Sequence, residues 1–529
     1  MDVAKCAIVS VAETVLLLKL GRVGRHGFLD QAFGLFVGQY IAFKLYFVLI
    51  WPFLVSPLRH LPGPKGGNLV LGQLLNQVKA LPSELEKKWM ADAQDAPFIR
   101  YLSFLNTEVL MVNSARAHKA VLQTKCYSFV KPKYYERVVG EIAGHGILFM
   151  EGEEHKKQRK LLLAPFSFSN IKRLLPFFEV KAREMSGIIK SQLGPDGYNV
   201  LEVSELLSKT TLDVVGLAAL GYELNSLSTP SQLATSYGKI FEFATPLQIL
   251  ISVVHQFVPI RQWLPLKTNQ SFVEANATVR KILREHIQKR KSEFREGLIK
   301  GEKANRDLLT LMIEESKDTW SEDEMLGYVV TALPADVSPS GHETTAGALT
   351  WTLYALTLHT KVQDRLRAEV LSTVTSSSPS YEELDNMRFL NNVMKEVLRY
   401  YPPAPTFPRQ AAEDVEIEGV RIPQGTLIMI APAAPQYNTH IWGPNAEQFD
   451  PDRYDHLPEP ANDPYVSLAF SAGPRVCIGK SFAILEFKAI LTELIRNFSF
   501  ENTGLVEPQK SGPSLRPLNG MRLKVRLVS

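Results

Sequence analysis

Cysteine is nearly absent from this chain, with Cys6, Cys126 and Cys477 the only three in 529 residues. Three thiols cannot build a disulfide scaffold, and their scarcity fits a reducing compartment. An excess of charge of one sign is also lacking. Lys and Arg number 59 against 55 Asp and Glu, a net +4, which excludes a nucleic-acid binder recognised by charge alone. No internal repeat, long linker, or flavin or dinucleotide motif is present. What remains is 45% hydrophobic and 22% charged residues, an ordinary globular balance that excludes long-range disorder and collagen-like architectures.

The most apolar window is Phe33–Val55, interrupted only by Gly34, Gly38, Gln39, Lys44 and Pro52. Its 23 residues suffice for a hydrocarbon core of about 30 Å at ~1.5 Å per residue. Tyr40, Tyr46 and Trp51 suit the interfaces, while Lys44 is costly and calls for tilt or snorkelling. The run is too long and starts too late for a cleaved signal peptide. A shorter apolar stretch, Cys6–Leu20, carries Glu13 and Lys19 and reads as a first interfacial or hairpin element. Arg22 and Arg25 precede the long window and Arg59 and Lys65 follow it, so charge leaves the orientation open. Leu61-Pro62-Gly63-Pro64-Lys65-Gly66-Gly67 reads as a short, stiff hinge. Residues 1–60 are therefore expected to form an anchor region, with a transmembrane helix at about 33–55, and residues 61–529 one large domain.

That domain is mainly helical by pattern. Residues 275–304 place Val279, Ile282, Leu283 and Ile287 at helical spacing among charges, a long surface helix. Strand patterns are few: Phe98–Leu102, Val109–Val112, Val415–Ile417, Val420–Ile422, Thr426–Ile430 and the alternating Arg522–Leu527. The expected fold class is mainly α, with small β-sheets assembled from distant segments.

Cys477 lies in Phe470-Ser471-Ala472-Gly473-Pro474-Arg475-Val476-Cys477-Ile478-Gly479, ahead of an apolar helical run over Ser481–Ile495. Loop amides, the positive helix end and Arg475 all stabilise a thiolate there, and Gly473 and Gly479 permit close backbone approach. Such a thiolate could be a nucleophile, a redox centre or an axial metal ligand. A buried structural cysteine is the plain alternative, and no neighbouring Cys or His completes a zinc set.

Taken whole, Phe470, Gly473, Arg475, Cys477 and Gly479 resemble the haem-binding loop of the cytochrome P-450 family. The resemblance implies haem b as cofactor, with Cys477 as the axial ligand of its iron; thiolate donation favours O–O cleavage. Glu396 and Arg399, three apart on one helical face, look like the family's Glu-x-x-Arg pair. Arg453 in Phe449-Asp450-Pro451-Asp452-Arg453 matches its third member, so a buried structural triad is implied. His155 and Arg159, four apart, and Arg409 match positions that reach the haem propionates, although the family often has Trp where His155 stands.

Gly341-His342-Glu343-Thr344-Thr345 looks like the family's oxygen-facing helix. The resemblance gives Glu343 and Thr344 the catalytic role of relaying protons. Upstream the chain departs from the family. Pro334 and Pro339 break a segment that members run through as straight apolar helix. Two helices are one reading, the first ending near Leu333 and the second capped by Ser338. A misjudged splice boundary is another.

The resemblance spans about Leu61–Val528 and is closest to fungal microsomal members. It implies a monooxygenase acting on a small apolar substrate with O2 and a separate NADPH-cytochrome reductase, with no nucleic acid involved. Secondary metabolism, for example terpenoid biosynthesis, is the expected setting. The expected location is the endoplasmic reticulum membrane, with a single-pass anchor and a cytosolic catalytic domain. Lys156, Lys157, Arg159, Lys160, Lys480 and Lys488 are the expected reductase-docking face. Pocket walls are expected at Lys133–Leu148, 240–256, Ala335–Thr345 and Pro403–Phe407. A haem-thiolate isomerase or dehydratase needing no reductase, and a haem binder inactivated by the 333–339 insertion, are the alternatives.

Overall fold

The computed structural model describes all residues except 1, 22–26, 145, 242–250, 252–253, 255–262, 265, 299–306, 317–319, 333–340, 510–513 and 529. Two helices, α1 (Asp2–Lys19) and α2 (Phe28–Leu49), lead the chain and pack on each other. α2 is long and apolar enough to cross a membrane. It starts and stops earlier than the 33–55 window. Pro52 lacks the N–H that would continue the helix, and Trp51–Val55 forms a separate wide turn. The segment after it is not a free hinge. Arg100 N–H donates to the Pro62 carbonyl at 2.8 Å, and a side chain on Gly63 would collide with the Arg100 backbone.

The described strands are β1 (Phe98–Leu102), β2 (Glu108–Val112), β3 (Phe129–Val130), β4 (Tyr198–Glu202), β5 (Phe407–Ala411), β6 (Val415–Ile417), β7 (Val420–Ile422), β8 (Leu427–Ile430), β9 (Phe498–Asn502) and β10 (Arg522–Leu527). They form a sheet ordered β1-β2-β8-β5-β3, a sheet ordered β4-β10-β9 and the β6-β7 ribbon. Only the β2–β8 pairing is parallel among the described ladders. Sheets that join residues about 300 positions apart are what the scattered strand patterns predicted; β3, β4, β5 and β9 were not anticipated, although Phe498 and Phe500 of β9 alternate with Ser499 and Glu501.

Helices carry the main core. The Gly341–Leu358 helix packs against Val203–Val214, Arg388–Tyr400 and Lys480–Asn497. Leu349, Leu353 and Leu356 are fully enclosed there. Arg388–Tyr400 is strongly amphipathic and buries Leu390, Val393 and Val397. Lys480–Asn497 is apolar around most of its circumference, and it is correspondingly buried on most sides. The long charged helix spans Lys267–Arg295, eight residues earlier at its start than its periodicity suggested. Helices end at Ala332 and begin at Gly341 on either side of the proline-containing segment. That segment itself, 333–340, lies outside the described residues.

Candidate functional site

The cysteine loop folds as its glycines require. Gly473 sits at φ +69, and any side chain there would strike the Leu122 carbonyl, so only glycine lets the loop lie on that backbone. Cys477 N–H donates to the Phe470 carbonyl at 2.9 Å. Gly479 caps the Lys480–Asn497 helix, so Cys477 stands two residues ahead of a helix N-terminus. A Gly479 side chain would begin 3.9 Å from Cys477 Sγ. Arg475 turns its guanidinium back into the fold. It donates to the carbonyls of Cys126 at 2.5 Å and Phe129 at 2.8 Å and pairs with Glu151. Cys126 thus contributes its backbone, while its side chain is buried.

Cys477 and Phe470 line a cavity of about 290 Å³. Thr344 and Thr345 of the Gly341–Leu358 helix, Ile147, Leu148, Pro403, Ala404 and Phe407 line it as well. The wall therefore includes parts of three expected segments; most of the fourth, 240–256, lies outside the described residues. His155, Arg159, Arg409 and Arg475 all reach the same cavity, and so does Lys131, which the sequence reading missed.

These basic groups crowd one another. Burial is the leading cause that lowers the Lys131 ammonium to about 7, with Arg409 beside it adding repulsion. Arg409 is pushed down to about 10 by burial and then by Arg475. His155 falls to about 4, again through burial first and then Lys131, Arg475, Arg159 and Arg409, so its ring is neutral at neutral pH. The Tyr127 hydroxyl meets its Nδ1 at 3.0 Å. Glu151 is the carboxylate that pairs with both Lys131 and Arg475, and Arg475 Nε is buried without a hydrogen-bond partner. Excess positive charge beside an apolar cavity and a cysteine at a helix start fit a flat apolar group carrying carboxylates and a metal. Haem meets that description.

Next in sequence to cavity-lining Thr344, the Glu343 carboxylate forms an ion pair with Arg516. A second carboxyl, Glu486, was not anticipated. It is 1% exposed, lines the cavity and accepts from Thr345, while its Oε1 has no partner. Burial raises it to about 8, so it holds a proton at neutral pH. Its available signal was one acid in the apolar run Ala483-Ile484-Leu485-Glu486-Phe487.

Behind the loop, Glu396, Arg399 and Arg453 meet as the spacing and the resemblance suggested. Arg399 Nε and Nη2 donate to the two Glu396 oxygens, each at 2.8 Å, and Arg453 Nε donates at 3.1 Å. Arg399 also reaches the carbonyls of Gln436 and Ala446 at 2.6 and 2.7 Å. Glu396 and Arg399 are both fully buried. Two residues of the expected docking face are elsewhere. Lys488 is buried and paired with Asp385 at 2.9 Å, and Arg159 belongs to the cavity wall. Lys156, Lys157, Lys160 and Lys480 remain exposed.

A mainly helical fold with small sheets thus brings one cysteine, just ahead of a helix, to the wall of an apolar cavity. The family model for cytochrome P450 matches residues 62–524, and the chain belongs to that family. It is similar to cytochrome P450 monooxygenase sphH of Aspergillus fumigatus, 33% identical over 93% of this chain and 92% of that protein. Cytochrome P450 monooxygenase FUM15 of Gibberella moniliformis is 30% identical over 91% and 90%. ALT8 of Alternaria alternata, named likewise, is 29% identical over 91% of each. The protein is an oxidoreductase of the monooxygenase class, its family cofactor is a haem-thiolate, and enzymes of this class use O2 and a redox partner on organic substrates.

Proposed function

We propose that this chain inserts one oxygen atom of O2 into a small apolar organic molecule, with electrons from an NADPH-cytochrome reductase. The carrying observation is Cys477 at the start of a helix, sharing one cavity with Thr344 and five basic side chains. When bound, haem b would supply the dioxygen-activating iron. Cys477 would hold that iron through its sulfur. Arg159, Arg409, Arg475, Lys131 and neutral His155 would hold its carboxylates, and Phe470, Gly473 and Gly479 would shape the loop that carries Cys477.

Around that group the side chains divide the work. Thr344 would hold a proton at its hydroxyl, and Glu343 would pass protons to it from the solvent side. Protonated Glu486, joined to Thr345, keeps a second proton at the cavity edge. Glu396, Arg399 and Arg453 would brace the loop without touching substrate. The apolar wall of Ile147, Leu148, Ala404 and Phe407 favours a terpenoid or similarly apolar compound. The fungal relatives support a place in secondary metabolism.

In the same reading, residues 61–529 form the catalytic domain on the cytosolic face of the endoplasmic reticulum, held by the anchor in 1–60. Lys156, Lys157, Lys160 and Lys480 offer the reductase an exposed basic face. The test is reconstitution with reductase, NADPH and candidate apolar compounds. NADPH-dependent gain of one oxygen by a compound supports the reading. Peroxide rearrangement without reductase would establish the isomerase class instead. Reduced protein without the carbon monoxide band of thiolate-bound haem would remove the proposed ligand.

A further inference from the structure

The first of the two helices at the start of the chain turns a stripe of small and hydroxyl side chains inward. On α1, Cys6, Ser10 and Thr14 recur every fourth residue and are buried, and α1 packs on α2. The Ser10 and Thr14 hydroxyls are satisfied by their own helix, donating to the carbonyls of Cys6 and Ser10 at 2.8 and 2.7 Å. Glu13, the acid in the middle of α1, meets the Gln39 amide of α2. Large apolar residues make up much of the exposed surface of both helices, with Lys5, Glu13, Lys19, Asp30 and Lys44 exposed among them. Ile8 is 69% exposed, Leu16 57%, Leu29 78% and Phe33 67%. Small residues between helices and large apolar residues outside are the pattern that lipid selects and water penalises.

Chain length sets the direction of the pair. The link 22–26 spans roughly 20 Å when fully extended, too short to run back along an 18-residue helix of about 27 Å. α1 and α2 are therefore antiparallel. The far end of α2 is tied to the domain. Asn106 Nδ2 donates to the Val48 carbonyl at 2.8 Å, and Arg100 Nη2 to that of Pro52 at 2.5 Å. The N-terminal end of α1 consequently lies toward the domain, and α1 is about as long as a hydrocarbon core of ~30 Å is thick.

We propose that α1 and α2 cross the membrane together as a two-span hairpin, leaving the N-terminus on the same side as the catalytic domain. This departs from the single-pass anchor expected from sequence and does not depend on the proposed reaction. By length and hydropathy α2 alone among the described helices qualifies as a span, and Asp2, Lys5, Glu13 and Lys19 leave α1 ambiguous. Packing on α2 removes that ambiguity by giving Glu13 a partner and turning the hydroxyls inward.

The test is thiol labelling of the full-length chain in sealed microsomes with a membrane-impermeant maleimide. Cysteines are introduced one at a time as Asp2→Cys, Val23→Cys and, as the domain-side marker, Ser376→Cys in a Cys6→Ala background, and labelling is read against that background, which retains Cys126 and Cys477. The hairpin predicts that Asp2→Cys labels with Ser376→Cys, whereas Val23→Cys labels only after detergent. Protection of Asp2→Cys together with Val23→Cys would establish a single span and overturn the proposal. Labelling of all three before detergent would place the pair on one leaflet and overturn it equally. Haem content of each variant shows that the chain remains folded.

Discussion

Arg516, from the segment ahead of β10, pairs its guanidinium with the carboxylate of Glu343 in the first turn of the central helix. The two residues are 173 positions apart, and nothing in the local pattern of either announces the other. Arg516 is itself constrained. Burial lowers it to about 10, Ser514 accepts from its Nε at 3.2 Å, and the adjacent Leu515 carbonyl accepts from Trp351 at 2.9 Å. The proposed proton carrier is thus held by a cation that a separate segment delivers.

Replacing Arg516 with Leu is expected to leave the haem-thiolate spectrum intact and to uncouple turnover. Glu343 would lose its ionic partner in a largely buried position, which misplaces the proton it is proposed to carry. Peroxide released per NADPH consumed should rise several-fold, and the pH profile of product formation should change. Arg516→Lys should restore part of the coupling. An unchanged pH profile in Arg516→Leu would contradict the relay role of Glu343.

Glu396 and Arg399 predict a stability loss. Arg399→Ala leaves a fully buried carboxylate with Arg453 as its remaining ionic partner, and also strands the carbonyls of Gln436 and Ala446. Removing one member of a buried pair typically costs about 3–5 kcal/mol. Denaturant unfolding of Arg399→Ala should show a loss of that order. A loss below ~1 kcal/mol would mean that the cluster does not brace the loop.

Glu486 predicts how stability varies with pH. The folded protein keeps its proton to about pH 8, whereas the unfolded chain releases it near 4.5. Between those values the native state binds the extra proton, so stability falls as pH rises and levels off above about 8. Glu486→Gln, neutral throughout, should match the parent near pH 4.5 and melt higher than it at pH 8.5. Parallel melting curves would show that Glu486 is ionised in the folded state.

Lys131 predicts a pH-dependent hold on the cofactor. With its ammonium lowered to about 7 by burial, binding a carboxylate would require proton uptake above that pH. Haem loss, followed by transfer to an acceptor apoprotein, should quicken as pH rises from 7 to 9. Lys131→Met should lose haem faster at pH 7 and show a flatter dependence. An identical pH dependence in both proteins would remove Lys131 from the propionate set.

The sequence by itself determined what is local. The glycines around Cys477 require their backbone geometry from a few neighbouring residues, and the Glu396–Arg399 spacing already places both on one helix face. The apolar run Ser481–Ile495 likewise marked the Lys480–Asn497 helix near its true bounds. Tertiary structure decided what depends on distant partners. Short strands such as β3 and β5 exist because a sheet neighbour completes their hydrogen bonds, not because of their own alternation. Lys131, Glu486 and Arg516 have ordinary pKa values until burial removes water from them, and the chain cannot express burial before it folds. The same holds for α1. Its four charges obscure it as a membrane segment, and only α2 beside it shows which face is turned away from lipid.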